Sequence, residues 1–553
     1  MPLESHGNLL PAPNQPNLEA LSLRLTEFRD SVAAGLQWIQ SHQDTGHFLR
    51  RIFGRLPAKR YVVEITERRV EEPQVYGILF TTESFLRLVD EQYAAGVENQ
   101  ADNPARWAIV NAMVASAMVG KITNESLADM TPTVWCYFKN AFSTFSELII
   151  QKPHVSTCEA VLAMAMYMLC SADGQTASQL TAAATRLVHM LGFHRRQYYV
   201  SVDSAVAQRH KRVFWICYVL DADLMHRYGL PSAFGNGEPA VGFPDDGRTE
   251  GQQSGFLRER AELAVIQHRI HKLLQREDVL LQSGMEILET VADTTKELWA
   301  WKDALSERMP RFDSSTAGFA MSLTLLHYTC YSSMAKIQMV LVRLRGPEYS
   351  DSAQARALKA SGIQMPWNML VASARGIIGL LRNLHVPPFA YVWGTLCYPL
   401  SAVLILLSAI LEDPVGAQAQ ADVGTIREFV QFLTSLRDDG CDVGSLLGGC
   451  TKLHRVAACA VHTHKGEDQS LIHGDESASN GTLAQLQSIR LKLLRVTDWL
   501  HLAQGLLSNI PMLRAEAETV LSGIFGSETV DNVYGLFVPE IFKSCNYNFS
   551  FSK

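Results

Sequence analysis

The side chains that most often hold a metal gather in one stretch: Cys441, Cys450, His454, Cys459, His462 and His464. Thiolates and imidazoles bind zinc tetrahedrally, and zinc modules space them as tight Cys pairs and His pairs. The separations here are nine, four, five, three and two residues, which fit no such module. Cys450 and His454 fall on one helical face among apolar neighbours, where a thiol packs as a small apolar group. The expectation is that these residues belong to helix faces and that the chain holds no resident metal.

A second chemically suggestive residue is Asp221, set among Tyr218, Leu220 and Leu224. A buried carboxylate without a partner costs several kcal/mol or protonates. Asp221 is therefore expected to accept from an arginine, the nearest being Arg186, Arg195 and Arg196, or from backbone N–H groups at another helix end. A catalytic role is disfavoured, because no base, nucleophile or metal ligand stands at a telling spacing from it. The sequence contains no G-x-S-x-G elbow, no phosphate-binding loop and no H-E-x-x-H pair, and Gly235, Gly237 and Gly242 do not form a dinucleotide fingerprint. The chain is read as a non-enzyme.

The element that must position Asp221 runs from Arg209 to Asp246. Its first part, VFWICYVLDADLM, is apolar on nearly every side, which predicts a central, buried helix. Gly229 suits the left-handed position just past a helix end, and Pro231 cannot continue the helix. A Gly- and Pro-rich loop follows, so the rod delivers an irregular segment.

These residues carry a resemblance. The run from His154 to Asp246 resembles the fungal-specific transcription factor regulatory domain, also called the xylanolytic transcriptional activator regulatory domain, the middle homology region of fungal zinc-cluster regulators. The residues that match are Leu191, Gly192, Phe193, His194 and Arg195, the basic run Arg209 to Arg212, the aromatic pair Phe214 and Trp215, then Asp221, Gly229 and Pro231. Phe214 stands where the family usually has a second tryptophan, and Leu230 where it usually has arginine. The resemblance extends back to about Leu56. It implies a nuclear role in regulating a metabolic or biosynthetic gene set, while the lack of any convincing strand alternation, with the length and spacing of the helical segments, predicts an all-α fold, an irregular stack of paired helices forming one large regulatory region. Gly192, His194, Arg195, Arg212, Phe214, Trp215, Asp221, Gly229 and Pro231 are taken as structural signature positions; no catalytic, cofactor or metal residue is assigned.

Composition agrees with a large folded core. Apolar residues make up 47% and charged residues 19% of the 553 residues, and the net charge is -7 with a pI near 6.2. That charge argues against broad nucleic-acid binding through this chain alone, since DNA readers show a basic footprint. The ten cysteines contain no C-x2-C pair, so the zinc cluster that usually precedes this domain is absent from the sequence. Zinc enters only through a cluster upstream of Met1, and DNA through such a module or a partner chain. The scattered cysteines read as reduced, buried thiols of an intracellular protein, and the N-terminus has no secretory pattern.

Along the chain, residues 1–16 are expected to be a flexible N-terminus. Residues 17–46 form an amphipathic helix with Leu18, Leu21, Leu25, Phe28, Val32, Leu36 and Ile39 at three- and four-residue spacing. It is either a dimerising coil, homo- or heteromeric, or a helix packed on its own domain. Arg50, Arg51, Arg55, Lys59 and Arg60 form a basic run without an acid, either a nuclear-import or phosphate-contacting patch or a solvated face. The regulatory domain is placed at 47–305 and a helical C-terminal region at 306–553, with a mobile loop at 466–481. Met164, Met166, Met168 and Met190 are read either as core or as the lining of a cavity for a small-molecule effector. Phe389 to Leu411 runs 23 residues without a charge. Pro399 within it and the unbiased flanks favour a buried helix pair broken at the proline over a membrane span. The competing functional reading is a helical scaffold co-opted as a small-molecule binding or catalytic protein in a biosynthetic pathway.

Overall fold

The computed structural model describes residues 26–27, 29–30, 51–66, 76, 78–96, 103–119, 127–170, 173–235, 239–244, 256–275, 284–308, 317–344, 367–384, 394–439, 441, 443–470, 476–494, 496, 498–507 and 510–525. These residues form helices joined by turns, bends and irregular segments, and no strand occurs among them, so the fold is all-α. Two compact units are present, residues 1–50 and residues 51–553. In the first, Thr26, Glu27, Arg29 and Asp30 are helical and exposed, and the rest of the expected 17–46 helix lies outside the described residues.

In the second unit the first helices are α1 (Lys59–Thr66), α2 (Thr82–Ala95), α3 (Pro104–Val119), α4 (Leu127–Phe142) and α5 (Phe145–Ile150). Next come α6 (Val155–Cys170), α7 (Gly174–Met190), a 3-10 turn (Arg196–Val200), α8 (Ser204–Tyr228), α9 (Leu257–Gln275) and α10 (Gly284–Arg308). The later helices are α11 (Ala317–Leu344), α12 (Trp367–Gly379), α13 (Cys397–Glu412), α14 (Ala419–Asp438), α15 (Gly444–Ser470), α16 (Glu476–Leu494), α17 (Trp499–Leu507) and α18 (Pro511–Phe525). Residue 305, the expected domain boundary, falls inside α10.

Local sequence explains several starts. Thr81 accepts from the Ser84 N–H at 3.2 Å, Asn103 from Arg106 at 2.9 Å and Asp173 from Thr176 at 3.0 Å. Each short polar side chain thus satisfies an amide that the helix itself leaves unpaired.

The main core is built on helices that are apolar all round. In α8 every residue from Val213 to Tyr228 is buried, and the helix packs against α6, α7, α9 and α17. The second such helix, α13, buries nearly every residue from Cys397 to Leu411 against α12, α14, α15, α16 and α17. Burying each leucine, isoleucine or valine of α13 contributes about 1.5–3 kcal/mol, so this helix anchors the C-terminal half. Among the described residues no helix is long and apolar enough to cross a membrane. The expected break at Pro399 does not occur. Proline is the third residue of α13, where its missing N–H is one the first turn leaves unpaired anyway; residues 389–393 lie outside the described residues.

A smaller core joins α9, α10 and α11 through Leu263, Ile266, Ile270, Leu298, Leu326 and Ile337. Meanwhile Leu257, Ala261 and Ala264 of α9 face the main core. Helix α9 is therefore shared between two cores. The polar run 466–481 also differs from its expected loop. Helix α15 continues to Ser470 and α16 starts at Glu476, and residues 471–475 lie outside the described residues.

Candidate functional site around the central helix

Helix α8 starts on Asp203, whose carboxylate accepts from the Ala205 N–H at 2.9 Å, and ends on Gly229 at φ 65°. Between these caps it presents three working faces.

One face clamps the loop that follows. Trp215, Tyr218 and Asp221 are spaced by three and so lie in one row. The Trp215 indole N–H donates to the Gly242 carbonyl at 2.9 Å, and the Phe243 ring stacks on the indole at 5.0 Å. Asp221 accepts from the Ser232 hydroxyl at 2.7 Å and from the Ala233 N–H at 3.0 Å. Phe234 then sits against His189, Phe214 and Tyr218, with ring centroids at 5.2, 5.6 and 5.1 Å. The partner of Asp221 is thus neither an arginine nor a helix end. Arg186, Arg195 and Arg196 are exposed, and the loop delivered by the same helix supplies the donors instead.

Ser232, His268 and Asp221 bring together the three residue types of nucleophilic catalysis, but in the wrong order. In a catalytic triad the carboxylate orients the imidazole and the imidazole deprotonates the serine. Here the Ser232 Oγ lies between Asp221 at 2.7 Å and His268 Nε2 at 3.1 Å, and it also accepts from the Phe234 N–H at 3.1 Å. His268 Nδ1 faces the Ala264 carbonyl at 2.9 Å, so the ring is oriented by the backbone of α9 and not by Asp221. The hydroxyl serves the turn.

The second face carries Glu159, His210 and the basic run. Glu159 of α6 is buried and takes Arg209 in two hydrogen bonds of 2.7 and 2.6 Å. His210 stacks on Phe193 at 4.4 Å and lies 2.8 Å from the Tyr198 hydroxyl. Burial, then the Arg209 and His154 charges, push His210 down to about 4. Arg212 is half-buried, and burial lowers its pKa while Glu159 opposes.

Ahead of this face, Gly192 at φ 77° makes the turn after α7, with its own N–H on the His189 carbonyl and that of Phe193 on the Val188 carbonyl. His194 meets His189 edge-on at 4.8 Å, and burial and neighbouring cations lower both imidazoles. Arg195 donates to His194 at 3.3 Å and is otherwise exposed, as is Pro231.

The third face points into the core. Arg227 pairs with Asp223 at 2.6 Å and donates to the Gly394 carbonyl at 2.6 Å. Asp223 also accepts from the hydroxyls of Tyr76 and Tyr398 at 3.1 and 3.2 Å. This charged knot, together with Ser232 and His268, was not singled out from sequence. The four-residue spacing of Asp223 and Arg227 was a usable signal, whereas Tyr76 and Tyr398 are 147 and 175 residues from Asp223.

Of the cysteines and histidines considered for zinc, Cys441 and Cys450 are buried while Cys459 and His462 are exposed. Among the described residues no group of three or more histidine, cysteine or acidic side chains is placed to hold a metal. Met164, Met166 and Met168 pack in the main core, but Met190 is 59% exposed and does not join them.

The whole clamp, from Gly192 to Pro244, falls inside a family match: residues 74–303 correspond to the fungal specific transcription factor domain. Over residues 74–303 the chain is similar to that domain. Its match sits within the expected 47–305. Around this domain the chain is 26% identical to an ABC-transporter-regulating transcription factor of Aspergillus fumigatus and 27% identical to one of Aspergillus oryzae, in each case over 76% of this chain and 49% of the relative. It is 24% identical to the Fusaridione A cluster transcription factor of Fusarium heterosporum, over 76% of this chain and 81% of the relative. The chain thus spans about half the length of the two Aspergillus relatives it matches.

Proposed function

We propose that this chain is the helical regulatory region of a nuclear transcription regulator that controls a transport or biosynthetic gene set. The match of residues 74–303 carries this reading, and the relatives' names, which specify ABC transporters and the Fusaridione A cluster, support the kind of gene set. The net charge of -7 makes the chain a poor DNA reader by itself. DNA contact is delegated to a zinc-cluster module outside this sequence or to a partner chain joined through the 17–46 helix. The clamped loop 229–244 offers a regulated part, because an effector that releases or tightens it would have two states to discriminate.

The test is deletion of the coding sequence in its host, with transcript profiling and chromatin occupancy of a tagged full-length chain. A coherent change in neighbouring transporter or biosynthetic genes, with the chain on chromatin, is the expected result. Unchanged transcripts together with an extranuclear chain would remove the proposal and favour the metabolite-binding scaffold.

A further inference from the structure

The loop clamp has more acceptors than hydrogens. Ser232 owns one hydrogen and two lone pairs. One lone pair takes the Phe234 N–H at 3.1 Å, and the Oγ has two further neighbours, Asp221 Oδ2 at 2.7 Å and His268 Nε2 at 3.1 Å. The other Asp221 oxygen is spent on the Ala233 N–H at 3.0 Å. Across the ring, His268 Nδ1 lies 2.9 Å from the Ala264 carbonyl, which can only accept.

A carboxylate and a neutral imidazole leave this network one hydrogen short. With the ring hydrogen on Nδ1, Asp221 and Nε2 compete for the single Ser232 hydrogen, and one contact sets lone pair against lone pair. With it on Nε2, Nδ1 opposes the Ala264 carbonyl. One added proton completes every contact: Nδ1–H donates to Ala264, Nε2–H to Ser232, and Ser232 to Asp221. Imidazoles are ordinarily more basic than carboxylates, so the ring carries that proton, and the Asp221 carboxylate 3.5 Å from Nε2 balances its charge. The His268 and Asp221 side chains are only 12% and 8% exposed, so water replaces the missing bond poorly.

The other charges around α9 are already engaged. Of the helices packed on it, α8 supplies Asp221 and the Tyr218 ring, stacked on the imidazole at 4.3 Å. Glu297 and Arg308 of α10 pair with Arg269, Glu259 and Glu262 of α9 itself, and Lys336 of α11 pairs with Asp498. Beyond Asp221, His189 of α7 touches Phe234. Asp221 is the one ion-pair partner of His268 among the described residues.

We propose that Asp221, Ser232 and His268 form a proton-operated latch that grips the 229–244 loop more tightly when His268 is an imidazolium. Proton uptake ties Ser232 to α9 as well as to α8, and therefore the loop to the helix that two cores share. Proton release frees one of those two bonds. The grip is fullest at low pH and slackens as pH rises, the opposite sign to a histidine that folds neutral. The latch stands on this geometry and not on the chain's role in transcription.

The experiment is limited proteolysis of the full-length chain with subtilisin from about pH 8 to about pH 5.5, the range in which imidazoles titrate. Cutting within residues 232–244 is read as a ratio to His268→Phe, which keeps a ring on Tyr218 and removes both nitrogens. The ratio cancels the protease's own pH response and that of His189. Across this range the parent should become about tenfold more resistant relative to the variant. Asp221→Asn supplies the missing hydrogen: its amide N–H donates to Ser232 while its oxygen keeps the Ala233 N–H. A neutral His268 then completes the network, and the pH response should disappear with the loop still held. If His268→Phe does not fold, the parent is compared with Asp221→Asn instead. A flat ratio, a loop that loosens in acid relative to the variant, or an Asp221→Asn chain that keeps the parent's response would overturn the proposal.

Discussion

The indole N–H of Trp215 reaches the Gly242 carbonyl at 2.9 Å across 27 residues of chain. Six residues further along the same helix, Asp221 takes Ser232 and Ala233, so one row of side chains grips both ends of the loop. Trp215→Phe and Asp221→Ala are each expected to cost about 1–3 kcal/mol, because each leaves a loop backbone group unpaired. Both changes should speed proteolysis within residues 232–244. Because they act on the same loop, the double variant should fall short of the sum of the singles; strict additivity in urea unfolding would show that the two grips are independent.

The two left-handed glycines of this loop should respond differently. Gly229 has φ 65°, and an added Cβ would stand 2.8 Å from the His501 ring. Gly235 has φ 76° with nothing within 4 Å among the described residues. Gly235→Ala carries only the backbone cost of about 1–2 kcal/mol, while Gly229→Ala adds a clash that displaces α17 from α8. Equal losses in unfolding midpoint for the two would show that the His501 contact yields freely.

Much of this was legible in the sequence, for identifiable reasons. The buried helix α8 was visible because VFWICYVLDADLM has no polar face, and its end because Gly229 and Pro231 punctuate it. The need of Asp221 for a partner was also visible. Which partner was not, because the donors come from a turn whose geometry depends on Phe234 settling against Phe214 and Tyr218. Pro399 misled because a proline reads as a break until the helix start is known, and α13 begins only two residues before it. The 466–481 run misled for a similar reason: polar composition suggested a loop, yet its ends continue α15 and open α16.

Acid should destabilise the fold through His210. Its folded pKa is depressed to about 4 by burial, Arg209 and His154, against about 6.5 in an unfolded chain. Between these values the unfolded state holds the extra proton. Stability is therefore complete above about 6.5, falls as pH drops toward about 4, and levels off below, with a slope from this group of up to about 1.4 kcal/mol per pH unit. His226, His327 and His454 are shifted in the same direction and steepen the total. Replacing His210 with Phe should flatten the urea midpoint between pH 6.5 and 4.5 relative to the parent; parallel curves would contradict the assignment.

The Asp223–Arg227 pair should be unequal in its two halves. Removing the carboxylate charge in Asp223→Asn leaves a guanidinium that is 1% exposed with neutral polar partners such as Gly394 and Tyr76 and no paired carboxylate, a loss of about 3–5 kcal/mol. Removing the cation in Arg227→Met leaves a carboxylate that still accepts from Tyr76 and Tyr398, and methionine fills much of the vacated space. Arg227→Met should therefore cost less than Asp223→Asn. The double variant should recover part of the Asp223→Asn loss, because no uncompensated charge remains in the core. Urea unfolding of the three variants measures the order directly. If Arg227→Met were the worse single change, the tyrosine hydroxyls would not be supporting Asp223, and the knot would owe its stability to the arginine's bond to Gly394 in the turn ahead of α13.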